Sequence, residues 1–331
     1  MKMTMKYLSA LILTLVLLFT SSCEKWIDPD INIDPDTPSD VPMYLLLPSI
    51  QARLGYVMGG RDVVGTTNMW VQIFQGKGRQ ALLESQYRLV DADVGNMWAS
   101  MYSGALMDCI VLMNKADEEE SPAWKGAAQV MMALTLKMGV DLFGPIPYTE
   151  ALQGASNYTP AFDDEATVYA GIDGLLAEAI TNLGATSLVP LSSSGDMFYG
   201  GNTAKWIAAA NALRAKIALT SSEVNGSYGS AKTYAQAAMT SNANNFSCPF
   251  DANDPNAYNP MYQFDDERND IVMCSTLIDA LEADGDPRLP KLAWKAGGVY
   301  VGLAPGQGGT GAESAIGPFL GGVTDGLGRG V

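Results

Sequence analysis

Ser121-Pro122-Ala123-Trp124-Lys125-Gly126-Ala127-Ala128-Gln129, running on to Asp141-Leu142-Phe143-Gly144-Pro145-Ile146-Pro147-Tyr148, reads as one helix with its start and stop written in. Serine followed by proline is an N-cap followed by N1, where the missing proline N–H is no loss. The apolar residues between them recur with helical spacing and carry no breaker. Gly144-Pro145 then stops the helix, because glycine accepts a left-handed turn and proline forbids continuation. The string Ile146-Pro147-Tyr148 is a stiff, extended exit. Taken by chemistry alone, this exit is a stop signal rather than a ligand site.

The same grammar repeats outward from that stretch. Met43 to Met58 carries an amphipathic pattern. From Val94 to Ala116, Trp98, Tyr102, Leu106, Cys109 and Met113 recur every three or four residues. Asp163-Asp164-Glu165 places acids at a helix start, where the dipole favours them, and Gly184 ends the helix that follows. Asn202 caps another, with Trp206, Ala209, Ala210, Leu213, Ile217 and Ala218 on its apolar side. Shorter helices are expected over 231–240 and 271–282. The stretches 55–88 and 242–270 read as irregular loops rich in turn residues. Helix starts fall roughly 30–45 residues apart, which suits stacked pairs of the TPR kind, although the TPR consensus itself is absent. The fold class expected is therefore all-α, with TPR-like helix pairs and long irregular loops.

The amino terminus fixes a compartment. Lys2 and Lys6 precede an apolar run from Tyr7 to Phe19, then Thr20-Ser21-Ser22-Cys23. That is a secretory signal. Its apolar run is roughly a dozen residues, where a spanning helix needs about 20. A cysteine directly after small residues is the bacterial lipoprotein arrangement, with Thr20 standing where leucine is usual. An ordinary signal peptide with an incidental cysteine is the alternative. The boundaries read as residues 1–22 leader, 23–40 lipid-anchored tether, and 41–331 folded body. Pro and Asp crowd 28–40, and such a segment is extended and solvated.

The chain has 331 residues, 47% apolar and 17% charged, with net charge −16 and no histidine. Losing residues 1–22 removes two lysines and no acid, leaving −18. A chain so acidic is a poor partner for nucleic acid or for an anionic lipid surface. Lacking histidine, it has no serine or cysteine triad of the usual kind and few routes to a zinc site. Of the remaining cysteines, Cys109 lies in a helical apolar pattern and reads as a buried small hydrophobe. Cys248 and Cys274 could pair in an oxidising compartment. No cofactor is expected. Asp284-Gly285-Asp286 and Asp251/Asn253/Asp254 share part of a calcium-loop pattern but lack its bidentate glutamate, which leaves a structural calcium ion as the alternative.

Several strings, in order, resemble the SusD/RagB family of outer-membrane lipoproteins. They are Asn96-Met97-Trp98 with Tyr102; Lys125–Gln129 through the Phe143-Gly144-Pro145-Ile146-Pro147 exit; Tyr158-Thr159-Pro160 with Asp164-Glu165; and Trp206 with Ala210-Asn211-Ala212-Leu213-Arg214. Asn259-Pro260, Arg268-Asn269-Asp270, Asp286-Pro287-Arg288-Leu289 and, more loosely, Tyr300, Gly302-Leu303 and Pro305-Gly306 follow in family order. The resemblance implies an all-α SusD-like fold with a loop-rich binding face. It implies a cell-surface lipoprotein that captures glycan or peptide and passes it to a SusC-like TonB-dependent transporter. Glu24-Lys25 after Cys23 loosely matches the export tags of such proteins. Family members continue past the position of Val331, and about a third of residues from Gly297 onward are glycine without periodicity, so the chain reads as incomplete at its C-terminus.

Sugar recognition uses aromatic faces against C–H-rich surfaces, with amides and charges taking hydroxyls. Aromatics on helix faces are usually core, so Trp98, Trp124 and Trp206 are assigned there. Trp70, Gln72, Phe74, Gln75 and Arg79, in an irregular polar stretch, form the first candidate group for ligand binding. Tyr258, Tyr262 and Trp294 form a second. Two acidic runs, Asp163–Glu165 and Asp265–Glu267, could in principle furnish the carboxylate pair of a lipid-anchored glycan hydrolase. A third reading is a TPR-like envelope scaffold with no small ligand.

Overall fold

A computed structural model describes residues 40–238, 241–251 and 253–317. Cys23, Glu24-Lys25, the leader and the tether lie outside the described residues. The body begins at Met43. Helix α1 (Met43–Gly59) buries Leu46, Leu47, Ile50 and Leu54 along one face. After short α2 (Thr66–Trp70) and α3 (Arg79–Ser85) comes α4 (Asp91–Ala99), whose Asp93 carboxylate accepts the Val90 N–H. The helix expected over 94–116 is continuous but not uniform. It widens to π-type turns over Ser100–Leu106 before resuming as α5 (Met107–Glu118). Such insertions are local and shift the register of the buried face. Here Met101, Ala105 and Leu106 are all brought inside.

Helix α6 (Pro122–Phe143) is the opening stretch of the sequence argument, with the bounds its caps predict. It is buried on nearly every side from Gly126 to Val140, as a helix apolar all round must be. Ser121 does not cap it through its side chain. The Ser121 hydroxyl instead donates to Glu119 O and accepts Val189 N–H, while Ser187 from a distant loop accepts the Ala123 N–H. At the other end Gly144 has φ +74°. The exit pairs as β2 (Ile146–Pro147) with β3 (Phe162–Asp163), antiparallel, and the Tyr102 hydroxyl donates to Pro147 O.

Helices α7 (Glu165–Gly184) and α8 (Thr203–Thr220) follow, α8 capped by Asn202 as expected and α7 by Asp164, one of the three acids placed at its start. Asp164 accepts Thr167 N–H and Asn202 accepts Lys205 N–H. After the one-turn α9 (Ser222–Asn225), α10 (Tyr228–Gln236) closes the series. Consecutive helices pack on each other: α5 on α6, α6 on α7, α7 on α8, α8 on α10. This is an all-α stack of helix pairs. Contact between α6 and α7 is close because Gly126 has no side chain; a Cβ there would lie 2.7 Å from Leu183 Cγ.

A second cluster forms where distant segments meet. Strand β1 (Phe74–Gly76) pairs antiparallel with β4 (Ile271–Met273), Phe74 opposite Met273. Phe74, Met69, Met261, Ile271, Met273, Ile278 and Ile316 make its core. Helices α11 (Pro260–Arg268), α12 (Ser275–Ala283) and the short α13 (Leu289–Leu292) complete it. Two expectations are corrected here. Residues 271–273 are strand, and the helix expected from 271 starts at Ser275. The stretches read as irregular contain α2, α3, β1 and α11. Over its described residues the glycine-rich segment packs on this cluster: Leu303 N–H bonds Met273 O, Met273 N–H bonds Ser314 O, and Ile316 is fully buried.

Cys248 and Cys274 are both free thiols, so the pairing considered for them does not form. Cys248 packs against Gly55 of α1, and Cys274 is buried at the end of β4. Cys109 is fully buried, and burial pushes its thiol far up. Among the described residues no helix is long and apolar enough to cross a membrane.

Candidate ligand-binding face

Trp70 ends α2 with its ring 41% exposed. Its indole Nε1 donates to Glu84 O at 3.2 Å. Tyr87, 59% exposed, lies beside it, ring centroids 6.0 Å apart and tilted 46°. The Tyr87 hydroxyl donates to Trp70 O at 3.0 Å. Each ring is therefore tied by its polar end to the other's segment, which leaves apolar ring surface facing solvent. Tyr87 has φ +59°, uncommon for a bulky residue. Gln72 (φ +59°) and Arg79 (φ +51°) share this feature, so half of the six non-glycine residues with positive φ described lie in this one stretch. Such conformations persist where surroundings over-determine them, and they cluster at binding sites.

The polar groups beside the platform are held as well. Gln72 Oε1 accepts the Thr276 hydroxyl at 2.9 Å. Arg79 Nε donates to Asp270 Oδ1 at 2.8 Å, and Arg268 Nε donates to Asp270 Oδ2 at 3.1 Å, so buried Asp270 clamps two arginines. Beyond α3 opens a polar cleft of about 420 Å³, lined by Arg61, Gln80, Asp93, Asn96 and Arg268 among others. Arg61 pairs there with buried Glu84. Burial pushes the Glu84 carboxyl above the ordinary range despite Arg61, which acts the other way. Glu84 thus serves both sides of α3: its backbone oxygen holds Trp70 and its carboxylate holds Arg61.

The sequence candidates divide. Trp70 and Gln72 lie at this face; Arg79 is exposed at the start of α3, tied to Asp270 and Arg268 O. Phe74 is not: it is fully buried in the second core, with no ring face open to a ligand. Gln75 is also buried. It donates to Ser85 Oγ and Gly76 O and accepts Gly306 N–H, stapling the glycine-rich segment to β1. The alternation of a strand explains neither, because both faces of β1 are covered. Tyr262 is buried and edge-on to half-buried Tyr258, 5.1 Å between centroids. Trp294 is half-buried, and its enclosed indole N–H finds no partner among the described residues. Among the described residues no ring pairing joins these three to Trp70 or Tyr87. Trp98, assigned to the core with Trp124 and Trp206, is half-buried instead. It packs on Tyr102, Phe143 and exposed Phe162.

Tyr87 is the member of the face that sequence reasoning missed. It follows a short helix in a polar stretch, and nothing in Ser85-Gln86-Tyr87-Arg88 announces a left-handed turn. The first acidic run has structural duties. Asp163 accepts from Tyr148 N–H, Thr149 N–H and the Thr149 hydroxyl, and Asp164 caps α7. Among the described residues no three acidic or cysteine side chains converge as a cation site. The Asp286 carboxylate is engaged by Arg288.

A family model described as starch-binding, associating with outer membrane, matches residues 35–319. The chain belongs to the SusD-like family. Solved structures agree with the fold. A SusD/RagB family protein from Bacteroides thetaiotaomicron superposes with a TM-score of 0.75 at 22% identity, over 85% of this chain and 63% of that one. A chitin-binding protein gives 0.70 at 25% identity, over 85% and 65%. A chitin-binding SusD homologue from Flavobacterium johnsoniae gives 0.67 at 20%, over 83% and 60%. This SusD-like chain thus spans under two thirds of the length of each. No curated protein matches it.

Proposed function

We propose that this SusD-like protein is a cell-surface lipoprotein, anchored through Cys23, that captures oligosaccharide and delivers it to a SusC-like TonB-dependent transporter without chemical turnover. The observation that carries the reading is the exposed Trp70–Tyr87 platform, fixed by the Trp70 indole bond to Glu84 O and the Tyr87 hydroxyl bond to Trp70 O, with Gln72 two residues along from Trp70. Exposed aromatic surface pre-set by its own hydrogen bonds loses little entropy when a sugar ring stacks on it. The family's description as starch-binding and the chitin-binding names among its structural relatives favour glycan over peptide as the ligand. Tyr258, Tyr262 and Trp294 are retained as a second, weaker group, of which the half-buried Tyr258 and Trp294 keep some ring surface. A thiol followed by two or more lipid chains suffices for stable anchoring.

The test is extraction of intact outer membranes in mild detergent with affinity capture of the tagged protein. A large β-barrel transporter is expected to co-elute. Elution with no barrel, together with release of reducing sugar by the purified protein, would instead support the hydrolase reading.

A further inference from the structure

The larger of the two cavities described, about 860 Å³, is not at the Trp70–Tyr87 face. It opens in the helix stack, between the C-terminal part of α6, the first half of α7, the end of α8, and α9 with α10. That volume lies within the range of small-ligand pockets, roughly 300–1,000 Å³. Its walls combine aliphatic, hydroxyl and charged side chains with two tyrosines, Tyr169 and Tyr234, both half-buried.

Glu165 and Lys216, which also line it, are exposed to solvent; two other charge pairs beside it are matched. Lys137, whose side chain is 5% exposed, pairs with Asp141. Asp173 takes a two-pronged bond from Arg214, with Nε to Oδ1 at 2.7 Å and Nη2 to Oδ2 at 3.0 Å. A charged ligand that engaged Lys137, Asp141, Asp173 or Arg214 would have to break one of these pairs, and leaving a half-buried partner unmatched is expensive. A neutral ligand leaves both intact.

The tyrosines present complementary polarity. Tyr169 donates its proton to Asp141 Oδ1 at 2.6 Å, so its remaining capacity is to accept. Tyr234 accepts from Arg214 Nη2 at 2.8 Å, so its proton is free to donate. The Tyr234 ring is braced by the Arg214 guanidinium, 4.1 Å from its centroid. Ser230 lines the cavity too, and its hydroxyl makes no bond among the described residues. One fixed acceptor, one fixed donor and a free hydroxyl among aliphatic carbons suit a molecule with hydroxyls on a C–H framework.

We infer that this cavity is a second binding site, separate from the aromatic platform, for a neutral polyhydroxylated ligand of one to three sugar units. It does not rest on the platform reading, and the two fail separately.

The test is calorimetric titration of the full chain with neutral maltotriose and triacetylchitotriose, and with trigalacturonate and a tripeptide as charged probes. Three variants accompany it: Ala170→Trp, which fills the cavity from α7 and removes no hydrogen bond; Tyr234→Phe; and Trp70→Ala. With a neutral trisaccharide, the Trp70→Ala protein is expected to keep one equivalent of binding. Ala170→Trp in that background abolishes it, and Tyr234→Phe weakens it roughly tenfold. Circular dichroism and melting show whether each variant is folded. If Ala170→Trp melts early, a ligand difference map on wild-type crystals soaked in trisaccharide decides the matter, with density beside Tyr169 and Tyr234 expected. The inference is overturned if Trp70→Ala binds no neutral trisaccharide at millimolar concentration, if cavity variants titrate like their parents, or if only the charged probes enter.

Discussion

Asp196 shows what a single buried carboxylate can organise. Its Oδ1 accepts Gln51 Nε2 from α1 at 2.8 Å, and its Oδ2 accepts the Trp206 indole from α8 at 2.8 Å and Gly201 N–H at 2.9 Å. Asp196 is 2% exposed, so it joins two helices and the loop between α7 and α8 through charge-assisted bonds. Asp196→Ala leaves buried donors unmatched, and is expected to destabilise by about 3–5 kcal/mol in chemical denaturation. Trp70→Ala should behave oppositely, costing about 1 kcal/mol or less in stability while removing one of two platform rings. The sequence marks Trp206 as core because of its helical spacing, but gives no sign of Asp196, whose partners lie 145 and 10 residues away. Phe74 and Gln75 were misplaced for a related reason. Polarity around them suggested a loop, whereas their burial depends on pairing with Ile271–Met273, almost two hundred residues on.

Elements bounded by local chemistry were legible to the residue. Pro122, Gly144, Asp164 and Asn202 act within one turn of themselves, so α6, α7 and α8 start or stop where their caps say. Elements that owe their existence to long-range pairing, β1 and β4 above all, were not. Asn202→Ala removes the bond to Lys205 N–H and is expected to lower stability by about 1 kcal/mol. Gly126→Val forces a side chain between α6 and α7, with a cost of about 1–3 kcal/mol readable as a shifted denaturation midpoint. The turn into α13 supplies a pH test. The Arg288 side chain, and then its N–H, hold Asp286 down from the ordinary 3.8 to about 2. A depressed carboxylate contributes stability that is complete above the ordinary value and fades as pH falls toward about 2. Arg288→Ala keeps the residue-288 N–H but removes the guanidinium, so it should raise the Asp286 titration, followed by carboxyl NMR, part of the way to the ordinary range and reduce that acid-side contribution.

Across the molecule, location and composition act together. The excess of acid over base gives a charge of −16 for the whole chain, a surface that anionic lipid repels. Membrane attachment in this account therefore depends on the lipidated thiol. Cys23→Ala is expected to move the protein from the membrane to the soluble fraction at low and at high salt alike, as fractionation and blotting would show. Retention of the variant at low salt would point to a protein-mediated or electrostatic attachment instead. The stack of helix pairs and the packed 299–317 segment give the Trp70–Tyr87 face a rigid base, which is what a binding surface with pre-set rings requires.

The most direct test of the central claim is calorimetric titration of a panel of neutral oligosaccharides into wild-type protein and Tyr87→Ala, with the reducing ends counted after overnight incubation. The account predicts saturable binding to the wild type, a loss of about 2 kcal/mol, or roughly thirtyfold in Kd, at the platform site of the variant, and no new reducing ends. Unchanged affinity in Tyr87→Ala across the panel, or cleavage of the bound glycan, would contradict it.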